Sequence, residues 1–249
     1  MTTGPTRENN GNPRVITILL ACLVGFVAGE VFATLFASIL NASLHFSGGF
    51  SALVKSSKPP YWFTLCGLIG LWCGFGAIVL YAKFSAGLSL PRSLFTLKAS
   101  DAMFVALGIV SQLVIDAAYW PFHFKNMNRP VEHIFGSVHG SMFVLLALLT
   151  TFAAPLVEEL LFRGVVFRSL DATLRNASQK FGSYAAMAIS ALIFAAAHAE
   201  LLQFAGLFAL GIVLSYVVKV TNRLTPSILT HMSFNAVALV GLLLQRSGH

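Results

Sequence analysis

At 249 residues, 57% hydrophobic and only 10% charged, with a mean hydropathy of +0.80, the chain is far more apolar than a soluble domain; such a domain carries roughly 25% charged residues. Its net charge of +7 fits loops that meet anionic lipid. No basic, solvent-facing module is present, so a nucleic-acid partner is excluded and membrane lipid is expected.

The polar start, Met1 to Arg14, is followed by an apolar run too long for a signal-peptide core, which predicts a retained first span. A span needs roughly 20 apolar helical residues. Seven stretches qualify: 15–40, 61–83, 101–120, 138–170, 183–199, 201–220 and 226–245. The expected fold is therefore all-α, a polytopic transmembrane helix bundle of about seven spans. Pro59-Pro60 marks a break before the second span, whose glycines (Gly67, Gly70, Gly74, Gly76) predict close helix packing. Cys22, Cys66 and Cys73 lie in apolar runs and form no disulfide framework. His123, His133 and His139, near the third loop, match no metal spacing and read as solvated loop residues. The fourth stretch is too long for a straight span. Pro155 predicts a kink or break in it, and Arg168 to Lys180 an amphipathic extension. The fifth and sixth stretches, parted by Ala199 and Glu200, are antiparallel neighbours. With the N-terminus in the cytoplasm, ten basic residues fall inside (Arg7, Arg14, Lys83, Arg92, Lys98, Arg168, Arg175, Lys180, Lys219, Arg223). Five fall outside (Lys55, Lys58, Lys125, Arg129, Arg246). That bias predicts a cytoplasmic N-terminus and puts Glu158 in the cytoplasmic half of the fourth span.

Polar residues able to do chemistry concentrate after residue 150. This divides the chain into accessory spans, 1–137, and a catalytic core, 138–249, with a cavity among the last four spans. Glu158 and Glu159 stand where a charge costs about 2.5–3.5 kcal/mol on insertion scales. Glu159 and Arg163, at i and i+4, form a favourable pair on one helix face. Glu158 is turned about 100° away and is free to face other groups. Phe194 and His198, then His231 and Asn235, repeat the i, i+4 spacing on later spans. A carboxylate and an imidazole on neighbouring helices can deprotonate water. A second histidine and an amide can donate to an oxyanion. Alternatively Glu158, His198 and His231 are plausible zinc ligands, although the spacing His-Glu-x-x-His is absent. Glu30 and Asp116, also within spans, could line a water-filled cavity or bond across helices. Intramembrane Glu, Asp and His also suit a proton-coupled transporter, although no internal repeat is evident. A catalytically silent immunity or scaffold protein on the same fold is the third reading.

Glu158-Glu159-x-x-x-Arg163, Phe194-x-x-x-His198 and His231-x-x-x-Asn235, in that order on successive apolar stretches, resemble the CPBP family. This family contains CAAX prenyl endoproteases and bacteriocin-processing or self-immunity (Abi) proteins. Pro155 and the run Phe162-Arg163-Gly164 add to the likeness, which covers about residues 140–242. The resemblance implies an intramembrane endopeptidase acting on a membrane-associated protein or peptide, with CAAX-type prenylated substrates among the options. It implies that Glu158 and His198 activate water and that His231 and Asn235 form the oxyanion site. Glu159 and Arg163 would support the first of these helices, and Phe194 would pack. No obligatory cofactor is expected, and zinc is the alternative.

Overall fold

A computed structural model describes residues 13–125, 127 and 129–247. Arg7 and the rest of the polar segment before Pro13 lie outside the described residues. The helices are, in order, α1 (Pro13–Leu44), α2 (Gly49–Lys55), α3 (Tyr61–Phe84), α4 (Ala102–Tyr119), α5 (Arg129–Phe135), α6 (Gly140–Leu148), α7 (Ala154–Glu159), α8 (Arg168–Ala177), α9 (Gly182–Ala197), α10 (Phe204–Thr221) and α11 (Thr225–Ser247). No strand occurs among the described residues. Helices suit lipid because they satisfy their backbone polar groups internally.

Six helical segments are long and apolar enough to cross a membrane, and α9 is a shorter apolar helix. At 1.5 Å per residue, the 16 residues of α9 reach only about 24 Å, short of the ~30 Å hydrocarbon core. Large apolar side chains face outward in bands, such as Leu20, Leu23, Val24, Val27 and Val31 on α1 and Val110, Leu113 and Val114 on α4. In water such bands would be a liability, and in a bilayer they are the lipid-facing surface.

The main helix pairings are α1 with α3, α9 with α10 and α4 with α11. The first is a glycine seam. A Cβ on Gly74 would collide with the carbonyl oxygen of Gly25, and one on Gly70 would press on Gly29 and Ala33. Gly67 and Gly76 face open space, so only two of the four glycines expected to pack do so. Both ends of the bundle are clamped. At one end Arg223 grips Asp101 with two nitrogens, at 2.6 and 2.7 Å, and the Leu224 amide donates to Leu94 O. At the other, Arg246 donates to the carbonyls of Phe135 and Val138, and Gln203 donates to Met127 O. Of the loop histidines, His133 is half-buried on α5, and burial pushes its imidazole below the usual range. Asp116 accepts a hydrogen bond from Gln112, one turn earlier on α4, at 2.8 Å.

The long fourth span does not break at Pro155. It runs on from Gly140 to Ala177 by widening into π-helix at Leu149–Ala153 and again at Leu160–Phe167. The widening accommodates the missing proline N–H within one continuous helical run. Beyond it, α8 carries the amphipathic pattern expected from Arg168 onward, with Ser169 and Leu170 buried and Arg175 outward.

Candidate active site

The consecutive glutamates of α7 part ways as the helical pitch requires. Glu159 points into the bundle and is fully buried with Arg163, whose Nη1 lies 2.8 Å from Glu159 Oε1. The second guanidinium nitrogen donates to Gly211 O at 3.3 Å, and the face of the Phe194 ring lies 4.3 Å from the guanidinium carbon. Ser227 donates to the other oxygen of Glu159 at 2.5 Å. His231 Nδ1 lies 3.1 Å from Glu159 Oε1. Glu159 is thus the knot joining α7, the π-helical stretch after it, and α11.

Glu158 faces the other way, with its side chain 14% exposed. Its Oε2 lies 3.9 Å from His198 Nε2 and 3.7 Å from His231 Nε2. Neither separation is a hydrogen bond, and both suit one bridging water. The distal nitrogens of both rings are assigned protons by their partners. His198 Nδ1 lies 2.8 Å from Phe194 O, and His231 Nδ1 faces the Glu159 carboxylate. A carbonyl and a carboxylate can only accept, so each Nδ1 carries hydrogen and each Nε2 is turned towards Glu158.

Phe194 is the hub of this arrangement. It is fully buried and meets the His198 ring at 4.6 Å and the His231 ring at 5.6 Å between centroids. An edge-to-face chain continues through Phe162 to Phe75 of α3. The motif Phe194-x-x-x-His198 is therefore one object: the ring fixes both imidazoles and the guanidinium face.

Asn235 sits one turn beyond His231, and its amide donates to Thr150 O at 3.0 Å. The reason is local. In the π register the Ala154 amide bonds to Leu149 O, so the next carbonyl, Thr150 O, is aimed at the nitrogen of Pro155, which has no hydrogen. Asn235 supplies the missing donor. Asn235→Ala is expected to cost about 1–3 kcal/mol by stranding that carbonyl. Pro155→Ala in the same chain should recover part of the loss, because it restores an N–H. Thermal melting of the four proteins in detergent checks this, and strictly additive effects would refute the coupling.

The open cavity at Glu158 and His198 has a volume of about 490 Å³. Beyond the last four spans, its wall also comes from α1 and α3, through Phe26, Glu30, Leu71 and Phe75. Ser227 was not singled out from the sequence, although it lies four residues before His231 and so completes an i, i+4, i+8 face with Asn235. Among the described residues, no group of three or more His, Cys, Asp or Glu side chains is gathered so as to hold a metal ion.

Residues 140–237 match the family described as type II CAAX prenyl endopeptidase, Rce1-like. No curated protein and no solved structure matches the chain. The matched stretch begins at the first residue of α6 and includes all three motifs, from Glu158 to Asn235. Over residues 140–237 this multi-pass membrane protein is similar to the CPBP, or CAAX protease, family of intramembrane endopeptidases.

Proposed function

We propose that this protein hydrolyses a peptide bond of a membrane-associated protein or peptide of the CAAX type, using water activated by Glu158 and His198. The observation that carries the reading is the convergence of Glu158 Oε2 with two histidine Nε2 atoms at 3.7 and 3.9 Å, at the edge of a cavity. A water held there gives a proton to Glu158 as its oxygen attacks the scissile carbonyl carbon. The carbonyl becomes an oxyanion. When the C–N bond breaks, the proton passes from Glu158 to the leaving amine, and one water has been consumed. His198 holds the water and orients it.

His231 lies between two carboxylates, Glu159 at Nδ1 and Glu158 at Nε2. In this reading His231 donates a hydrogen bond to the oxyanion. The Asn235 amide has two hydrogens. Thr150 O takes one, and the other is available to the same oxyanion. No step needs a metal. Residues 1–137 act as the accessory half that closes the cavity over the catalytic core. On the basis of the bias in basic residues, the N-terminus is cytoplasmic and the Asp101–Arg223 end of the bundle faces inside.

The test is cleavage of a quenched peptide library by detergent-purified protein, with and without chelator, alongside elemental analysis for zinc. Turnover that survives chelation without stoichiometric zinc is expected. Turnover lost on chelation and restored by zinc would make Glu158, His198 and His231 metal ligands and overturn the metal-free mechanism. No turnover on any peptide would favour a transporter or a silent scaffold over an endopeptidase.

A further inference from the structure

Glu30 lies at the middle of the first span, Val15–Leu44. A charge there is costly unless it faces water or a partner. No described residue gives Glu30 a hydrogen bond or an ion pair. It is exposed, and it lines the open cavity that also holds Glu158 and His198.

Its position follows from the glycine seam. Gly25 and Gly29 of α1 lie against Gly74 and Gly70 of α3. The residue after each glycine, Phe26, Glu30, Phe75 and Leu71 in turn, lines the cavity. Four-residue spacing on both helices thus turns one face into a backbone contact and the adjoining strip into a cavity wall. Glu30 shares that wall with Phe26, one turn away.

The lining includes two carboxylates and neither a lysine nor an arginine. Its aromatic and aliphatic walls form a low-dielectric surround that strengthens the negative field within. A volume of about 490 Å³ is in the range that takes a small ligand or a short run of residues. We propose that Glu30 is a specificity-determining residue of this cavity, pairing with a lysine or arginine side chain of the substrate close to the bond that is cut. The inference rests on the endopeptidase reading above, and adds to it the class of substrate.

The probes are fluorescent peptides identical in an apolar background except for one central position, occupied by lysine, norleucine or glutamate. Binding to Glu158→Gln protein reports recognition without turnover, and kcat/KM on the wild type reports it with turnover. The lysine peptide is expected to be favoured over the norleucine peptide by about tenfold. In Glu30→Gln that ratio should fall towards one, and Glu30→Lys should shift preference to the glutamate peptide. Should Glu30→Lys not fold, the near-isosteric Glu30→Gln still decides the matter. An unchanged lysine preference in Glu30→Gln, or none in the wild type, overturns the proposal. Cleavage without that preference sinks Glu30 alone and leaves the peptidase standing. A Glu30-dependent binding preference without any cleavage does the reverse.

Discussion

Glu158→Gln is expected to lower kcat/KM by about 10²–10⁴-fold, the range for loss of a positioned general base, while the protein inserts and melts as the wild type does. An amide of the same shape cannot take the proton from water. The fold should tolerate the change, because Glu158 makes no hydrogen bond that is lost: its nearest charged-group neighbours are 3.7 and 3.9 Å away. Substitutions away from packed or bonded features usually stay within about ±0.5 kcal/mol. Kinetics with a peptide found in the library, together with melting in detergent, reads both halves. Wild-type turnover in Glu158→Gln would remove this residue from the mechanism. Lost turnover with lost folding would show that Glu158 supports the structure.

Arg163→Ala is expected to show the opposite pattern, a stability loss of about 3–5 kcal/mol, because it leaves a buried carboxylate without its counter-charge. Glu159 and Arg163 are both fully buried. With the guanidinium gone, Glu159 retains only Ser227 and His231 as donors, and Phe194 loses the cation against its ring. Against a typical total of about 5–15 kcal/mol this is a large share, so folded yield should fall along with activity. Arg163→Lys should recover little, since one ammonium cannot reach both Glu159 and Gly211 O as the fork does. The double change Glu159→Gln with Arg163→Met should be more stable than Arg163→Ala alone, because no unpaired charge is left. A melting temperature for Arg163→Ala equal to that of the wild type would end the view of this pair as structural.

Two neighbouring glutamates are thus expected to fail in different ways, one in chemistry and one in folding. Their separation was already legible in the sequence. The pitch of a helix turns adjacent side chains about 100° apart, and Arg163 at i+4 selects Glu159 as its partner. The spans were legible for a similar reason: lipid demands about 20 apolar residues in a row, a condition that composition alone can meet. The Gly25–Gly74 approach was half legible. Glycines at 67, 70, 74 and 76 predicted a close helix, but which two face α1 depends on the rotation of α3 about its axis.

By itself, then, the sequence determined the membrane class, the helical elements, the pairs at i and i+4 and the family likeness of residues 140–237. These are local properties, set by hydropathy over one span or by spacing within a few turns. Only the tertiary structure decided what lies across a helix interface. That Ser227 donates to Glu159, that Phe194 touches both histidines, that Asn235 serves the carbonyl left free by Pro155, and that Glu30 enters the cavity of Glu158 all depend on the register and rotation of one helix against another. No spacing within a single helix encodes that register. It is set by close packing along small-residue seams and buried rings, where a helix has one position that leaves neither a clash nor a void.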